Sequence, residues 1–176
     1  MTGDAGDARP PLIVVMGVAG SGKSTIGPLL ADELGAPFLD ADTLHSEANV
    51  AKMSAGTPLT DDDRWPWLAR VGRTLADSGR PGLVVACSAL RRAHRQAIRE
   101  HARSVAFVHL AGSATILASR LSRRSGHFMP VSLLKSQLDT LEPLAADEAG
   151  VTVDIDRSAE DVVRIALSAV RSAALT

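Results

Sequence analysis

The sequence predicts an α/β domain in which a parallel sheet carries helices on both faces. Three observations point there. Short apolar, β-branched runs recur along the chain, separated by residues with helical periodicity. Those runs do not alternate apolar with polar residues, which is the pattern of strands covered on both sides. A glycine-rich turn joins the first run to the first helical pattern.

In chain order, residues 1–11 (MTGDAGDARPP) are expected to be a loose tail, since they lack the apolar core of a signal or transit peptide. Residues 12–176 then form one domain. LIVVMG (12–17) predicts the first strand, and Ile26, Leu29, Leu30 and Leu34 share one face of the helix after it. Pro28 falls inside that helix, where a missing backbone bond costs ~3 kcal/mol, so a kink or a loosened turn is expected. APFLDAD (36–42) is a weaker strand. Residues from about 42 to 78 are mostly polar helix, too long for one crossover, with Leu68, Val71 and Leu75 on a common face. SGRPG (78–82) breaks the pattern. GLVVAC (82–87), SVAFVHL (104–110) and GVTVDI (150–155) are further strands. Residues from about 120 to 135, with Arg120, Arg123, Arg124, Gly126 and Pro130, fit the alternation poorly. Both irregular segments are expected to stand over the C-terminal edge of the sheet, where α/β proteins bind ligands. Ser158 with Asp161 predicts a capping box for a last helix faced by Val162, Val163, Ala166 and Val170.

Composition narrows the function. A chain of 176 residues, 45% of them hydrophobic, has enough apolar mass for a substantial core. A formal net charge of −1, with no long basic run, argues against a general nucleic-acid or membrane-surface binder. Cys87 is the only cysteine, so no intramolecular disulfide forms, which suits a reducing compartment. No apolar run approaches the roughly 18 residues of a membrane span, and a cytoplasmic setting is expected.

The strongest motif is GVAGSGKS (17–24), which satisfies G-x-x-x-x-G-K-[ST] between a buried strand and a helix. Gly17, Gly20 and Gly22 permit the tight turn, and the amides of Val18, Ala19, Ser21 and Thr25 complete a cradle for phosphates at a helix N-terminus. Lys23 is placed to reach the β- and γ-phosphates, and the Ser24 hydroxyl to sit on Mg²⁺. The ligand is therefore a nucleoside triphosphate. The only asparagine, Asn49, is followed by valine, so the Asn-Lys-x-Asp element of a GTPase is missing. A small phosphotransferase fits the chain length.

Asp40 and Asp42, two apart on an extended segment, would point the same way near the cradle. Either can accept a proton from an acceptor hydroxyl or hold Mg²⁺ through water; Asp42 taken alone also reads as an ordinary helix N-cap, a reading that weakens beside a phosphate cradle. We assign Asp42 as the base.

Together LDADTLHSEANVAKMSAGTPLTDDDRWPWL (39–68), CSALRRAHR (87–95), SRRSGHF (122–128) and LEP (141–143) closely resemble the bacterial-type gluconokinases. The resemblance runs from about Ile13 to the last helix. It implies a nucleoside-monophosphate-kinase-like, three-layer P-loop fold with five parallel strands in the order 2-3-1-4-5. It also implies a helical insertion that binds the acceptor and a lid over 120–135. Implied further are transfer of the ATP γ-phosphate to the 6-hydroxyl of D-gluconate, and a homodimer. Two departures stand out: His94 replaces an aromatic residue, and the lid continues as Met129-Pro130.

A small polyol carboxylate needs cations at one end and hydrogen-bonding side chains along its length. Arg64 and Arg91 suit the carboxylate, although Arg91 sits in a stretch with Arg92, Arg95 and Arg99 that also reads as a solvated helix face. His45 and Ser88 suit the hydroxyls, His45 also reading as a local packing group. Lys52 serves the substrate or the surface equally well. Cys87 reads as a small buried hydrophobe. In the lid, Arg120 and Arg124 are four apart. The resemblance implies stacking on adenine and neutralisation of phosphoryl charge, with Arg124 nearer the phosphates, and His127 reaching the site when the lid closes. In TPLTDDDRWPWL (57–68), Thr60 with Asp63 makes a capping-box-like pair and acids suit a helix start, but Pro66 suggests that the regular helix begins near residue 66. Asp61, Asp62 and Asp63 would then form a turn that aims Arg64 at the acceptor, with Trp65 and Trp67 packing the insertion. Two competitors remain at this point: a shikimate-kinase-like enzyme, which would carry a glycine-rich turn where this chain has CSALRR, and a non-catalytic ATP-sensing module.

Overall fold

The computed structural model describes residues 11–123 and 131–173. The elements are β1 (Leu12–Met16), α1 (Lys23–Leu34), β2 (Phe38–Asp40), a 3₁₀ turn (Ala41–Leu44), α2 (Glu47–Ser54), α3 (Asp61–Ala76), β3 (Leu83–Ala86), α4 (Arg92–Arg99), β4 (Ala106–Ala111), α5 (Ala114–Ser122), α6 (Val131–Thr140), β5 (Gly150–Asp154) and α7 (Ala159–Ala173). The tail before Pro11, and Arg124, Gly126, His127, Met129 and Pro130, lie outside the described residues.

All five strands pair in parallel, in the order β2-β3-β1-β4-β5. The central register sets Val14 between Val85 and Phe107. Because successive side chains leave a strand on opposite faces, β1 feeds two cores. Ile13 and Val15 face α1 and α7 through Ile26, Leu30, Val162 and Ala166. Val14 and Met16 face α3 and α4 through Trp67, Leu68, Val71, Leu75 and Ile98. Each such side chain, fully buried, contributes about 1.5–3 kcal/mol, which is why neither face of the strand tolerates polar alternation. Within one helical layer, α3 and α4 pack against each other closely. At Gly72 in α3 an added Cβ would lie 2.6 Å from the Ile98 carbonyl oxygen, so only glycine permits that approach.

The parallel sheet, its strand order and its two covered faces are those expected. Local details differ. Leu29 is 42% exposed instead of packing with Ile26 and Leu30, because it lies on the outer side of α1. Pro28 sits within a continuous α1. Pro66 likewise lies inside α3, which starts at Asp61 and not near residue 66. The reason is a complete capping box: Thr60 Oγ1 accepts the Asp63 N–H, and the Asp63 carboxylate accepts the Thr60 N–H. That pins the start, and the carbonyl left without its proline partner belongs to exposed Asp62. At α7, Ser158 Oγ accepts the Asp161 N–H, but Asp161 is bonded back by the same hydroxyl, so half the expected box forms.

Candidate active site

The cradle sits where β1 meets α1. Gly22, with φ of 97°, caps α1 in the left-handed region without any side-chain cap, leaving the helix N-terminus for an anion. Lys23 folds across the loop, its Nζ donating to the carbonyls of Gly17 (2.9 Å) and Val18 (3.1 Å). The Ser21 N–H is spent on Val18 O within the loop, and its buried Oγ has no partner among the described residues. Arg120 lies over the cradle, its guanidinium 3.6 Å from the position of a Cβ on Gly22, and donates to Ile155 O at 2.6 Å. The assigned nucleotide residue is thus beside the loop. Arg124, assigned to the phosphates, lies outside the described residues.

A cavity of about 310 Å³ opens above the cradle. Ala19, Gly20, Gly22, Lys23 and Ser24 line one side, and Asp40, Asp42 and Ser88 the other. The two aspartates arrive by a route different from the one expected. Asp40 ends β2 and caps the 3₁₀ turn, its Oδ1 accepting the Asp42 N–H at 3.0 Å, so Asp42 is carried by the turn and not by strand alternation. The N-cap role weighed for Asp42 belongs to Asp40. Partial removal from water and then the Asp40 charge raise the Asp42 pKa, opposed by His45 and Lys23. With the side chain still 83% accessible, the contribution of water removal is muted in the open cavity.

The turn is held from α3. Trp67 Nε1 donates to Ala41 O at 2.8 Å, and Arg70 donates to Leu44 O at 3.0 Å. Trp67 also stacks on His45, with centroids 4.2 Å apart and planes at 18°. Asn49 completes this wall. Its Nδ2 donates to Asp63 O (3.0 Å) and meets His45 Nδ1 (3.3 Å). Nδ1 is therefore an acceptor and Nε2 carries the proton, directed towards Asp42 Oδ1 at 3.9 Å. Burial lowers the His45 pKa, against the pull of Asp42.

Arg64 and Arg91 do not line the cavity. Both converge instead on Asp61: Arg64 Nη1 at 3.2 Å, Arg91 Nη1 at 2.7 Å, and His94 Nε2 at 3.4 Å. Burial alone would raise the Asp61 carboxyl, but the hydrogen bond from His94 and the Arg91 and Arg64 groups outweigh it and hold it below the usual range. His94, the departure from the family pattern, sits edge-on to Trp65 at 5.6 Å. Lys52 is resolved as a partner of Asp63, at 2.6 Å, and with Thr60 it lowers that carboxyl to about 2.

Ser88 and Arg91 are borne by a loop that Arg95 organises. Arg95, expected on a solvated face, is fully buried. Its Nε and Nη2 make a paired contact with Glu148 (2.6 and 2.8 Å), and Nη1 donates to the carbonyls of Ala89, Leu90 and Glu142. Where Arg95 Nη1 meets its carbonyl, Ala89 takes φ 41°, an unfavourable conformation for a residue with a Cβ. Cys87 is buried beside them, and burial pushes its thiol up to about 12, which leaves it inert.

Sequence reasoning missed three groups: Asn49, Arg95 and Gln137, whose Oε1 accepts the Ala19 N–H at 2.7 Å and which lines the cavity. None carries a local signal. A larger groove of about 870 Å³ between α1 and α7, floored by Leu29, Val163 and Leu167, holds none of this chemistry. The donor set of Ser24, Asp40 and Asp42 offers the hard oxygen ligands that suit Mg²⁺. Among the described residues, no helix is long and apolar enough to cross a membrane.

Comparison with known proteins agrees with this geometry. Residues 12–144 match a family described as an AAA domain. A gluconokinase of Gluconobacter oxydans is 46% identical over 157 residues, 88% of each chain. The thermoresistant gluconokinase of Escherichia coli is 40% identical over 163 residues, 91% of this chain and 93% of that one. The crystal structure of a gluconokinase from Sinorhizobium meliloti superposes with a TM-score of 0.86, at 49% identity and 96% coverage of both chains.

Proposed function

The chain belongs to the AAA-domain family and, within its relatives, to the gluconokinases, and we propose that it transfers the γ-phosphoryl group of ATP to the 6-hydroxyl of D-gluconate. The observation that carries this reading is one cavity lined on one side by Lys23 and Ser24 and on the other by Asp42. Asp42 takes the proton of the attacking hydroxyl as that oxygen bonds to phosphorus, and the bond to the β–γ bridging oxygen breaks to release ADP. The raised Asp42 pKa makes it a better proton acceptor. Lys23 and the loop amides offset charge spread over the phosphoryl oxygens.

Ser24, with Asp40 or Asp42 through water, would hold Mg²⁺, which when bound supplies neutralising charge at the phosphates. Ser88 presents its hydroxyl to the polyol, while neutral His45, whose side chain is only 4% accessible and does not line the cavity, directs its Nε2–H at Asp42. Arg64 and Arg91 each give Asp61 only part of their fork of donors, which leaves the rest for the gluconate carboxylate. Arg120 stacks on adenine, while Arg124 and His127 keep the lid roles read from the sequence. Residues 12–176 act as one kinase domain, with the acceptor insertion at about 42–78 and the lid at about 120–135. A cytoplasmic homodimer belongs to the same proposal, and sedimentation at micromolar concentration tests the dimer.

The deciding experiment measures ADP release with gluconate, shikimate, related sugar acids and nucleoside monophosphates as acceptors. Release that depends on gluconate above the others is expected. Release that depends on no acceptor would instead favour an ATP-sensing module.

A further inference from the structure

Gln137 lies far in sequence from the cradle yet touches it. It stands on α6, which Leu134 and Leu138 anchor to the core formed with α1 and α7. One helical turn beyond Leu134, Gln137 falls on the neighbouring face and is presented by a fixed element. Its Oε1 accepts the Ala19 N–H at 2.7 Å. Because that donor demands an oxygen, the orientation of the amide is determined and Nε2 is the free end. Nε2 has no partner among the described residues, and Gln137 lines the cavity shared by Lys23, Ser24 and Asp42.

We infer that Gln137 is a further catalytic residue, which donates from Nε2 to the transferring phosphoryl group while the phosphate loop itself holds the amide in place. The inference rests on the phosphotransferase reading given above. Gln137 moves no proton and forms no bond; it stabilises charge as the phosphoryl group passes from ATP to the acceptor oxygen. Polarisation by the Ala19 N–H strengthens the Nε2 donors, and donation from a fixed amide requires no reorganisation during the reaction.

The bland alternative is that Gln137 only straps α6 to the loop. Gln137→Met keeps the length and removes both ends of the amide. Gln137→Glu keeps an oxygen for Ala19 and removes the donors. For both variants the inference predicts kcat lower by about 10²-fold, the usual loss for one such donor. It also predicts that the gluconate KM and the ATP Kd of Gln137→Met stay within about threefold, and that Tm stays within about 3 °C of wild type. Wild-type kcat in Gln137→Glu would overturn it, because the oxygen strap alone would then suffice. A Gln137→Met variant whose kcat is unchanged, or falls only in step with weakened ATP binding, would also overturn it. If Gln137→Glu does not fold, the Met variant still decides. Wild-type protein without gluconate-dependent turnover would overturn the function reading and this inference together, whereas an active wild type with active variants overturns this inference alone.

Discussion

At the nucleotide end, the phosphate cradle itself comes from one run, residues 17–24, and most of it is backbone amides positioned by glycines. The proposed acceptor end is assembled from side chains on the 3₁₀ turn, α2, α3 and the loop before α4, and each is held by another side chain. Asp42 depends on Asp40 and Trp67, His45 on Asn49, and Arg64 and Arg91 on Asp61. A cradle made of backbone resists substitution except at its few side chains. A site made of braced side chains can be retuned or broken from one position removed.

Substitutions at the two ends are therefore expected to fail differently. The largest effect belongs to Lys23→Met. It is expected to lower kcat by about 10³-fold or more whatever the acceptor, because it removes charge stabilisation at the phosphoryl group. Single-turnover measurements check this, and retention of a tenth of wild-type turnover would contradict it. Next comes Glu148→Gln, which strands the buried Arg95 charge beneath the Ser88 loop. Breaking such a pair costs about 3–5 kcal/mol, so Tm should drop by on the order of 10 °C in a thermal melt. A drop within about 2 °C would show that the carbonyl partners of Arg95 suffice.

Asp61→Asn probes the acceptor end alone. Loosening Arg64, Arg91 and His94 should raise the gluconate KM about tenfold, the equivalent of one charge-assisted hydrogen bond, and leave the ATP KM unchanged. Equal increases for both substrates would erase the distinction between the ends. The smallest effect is in pH. Burial lowers the pKa of His45, His94 and His109 below 6.5, so the fold holds them neutral. Above pH 6.5 the folded and unfolded chains agree in protonation. As pH falls below it, the unfolded chain takes up protons that the fold refuses, and stability declines. Tm should therefore fall between about pH 6.5 and 5.5, and less steeply in His109→Leu, which removes a ring with no hydrogen-bond partner among the described residues. A flat profile in wild type would contradict this.

The same contrast explains what could be read in advance. The cradle was legible because its glycines, Lys23 and Ser24 are contiguous, and the sheet because each buried run is short and β-branched. Asp42 was legible as a residue but not in its placement, since nothing local announces a 3₁₀ turn capped by Asp40. Arg95 looks like its neighbours Arg92 and Arg99 until Glu148, 53 residues away, is folded against it. Asn49 and Gln137 are ordinary polar residues on helices, and only tertiary contact gives them roles. Pro66 misled because the proline rule was set above the Thr60–Asp63 capping pair, which the fold shows to be the stronger signal.

Asp42 is proposed to accept the acceptor proton in an ATP-dependent phosphorylation of gluconate. The most direct measurement compares gluconate-dependent ADP release by wild type and Asp42→Asn at saturating ATP and gluconate. Robust release by wild type and a loss of about 10²–10⁴-fold in kcat for the variant are expected. Turnover by Asp42→Asn within about tenfold of wild type would contradict it.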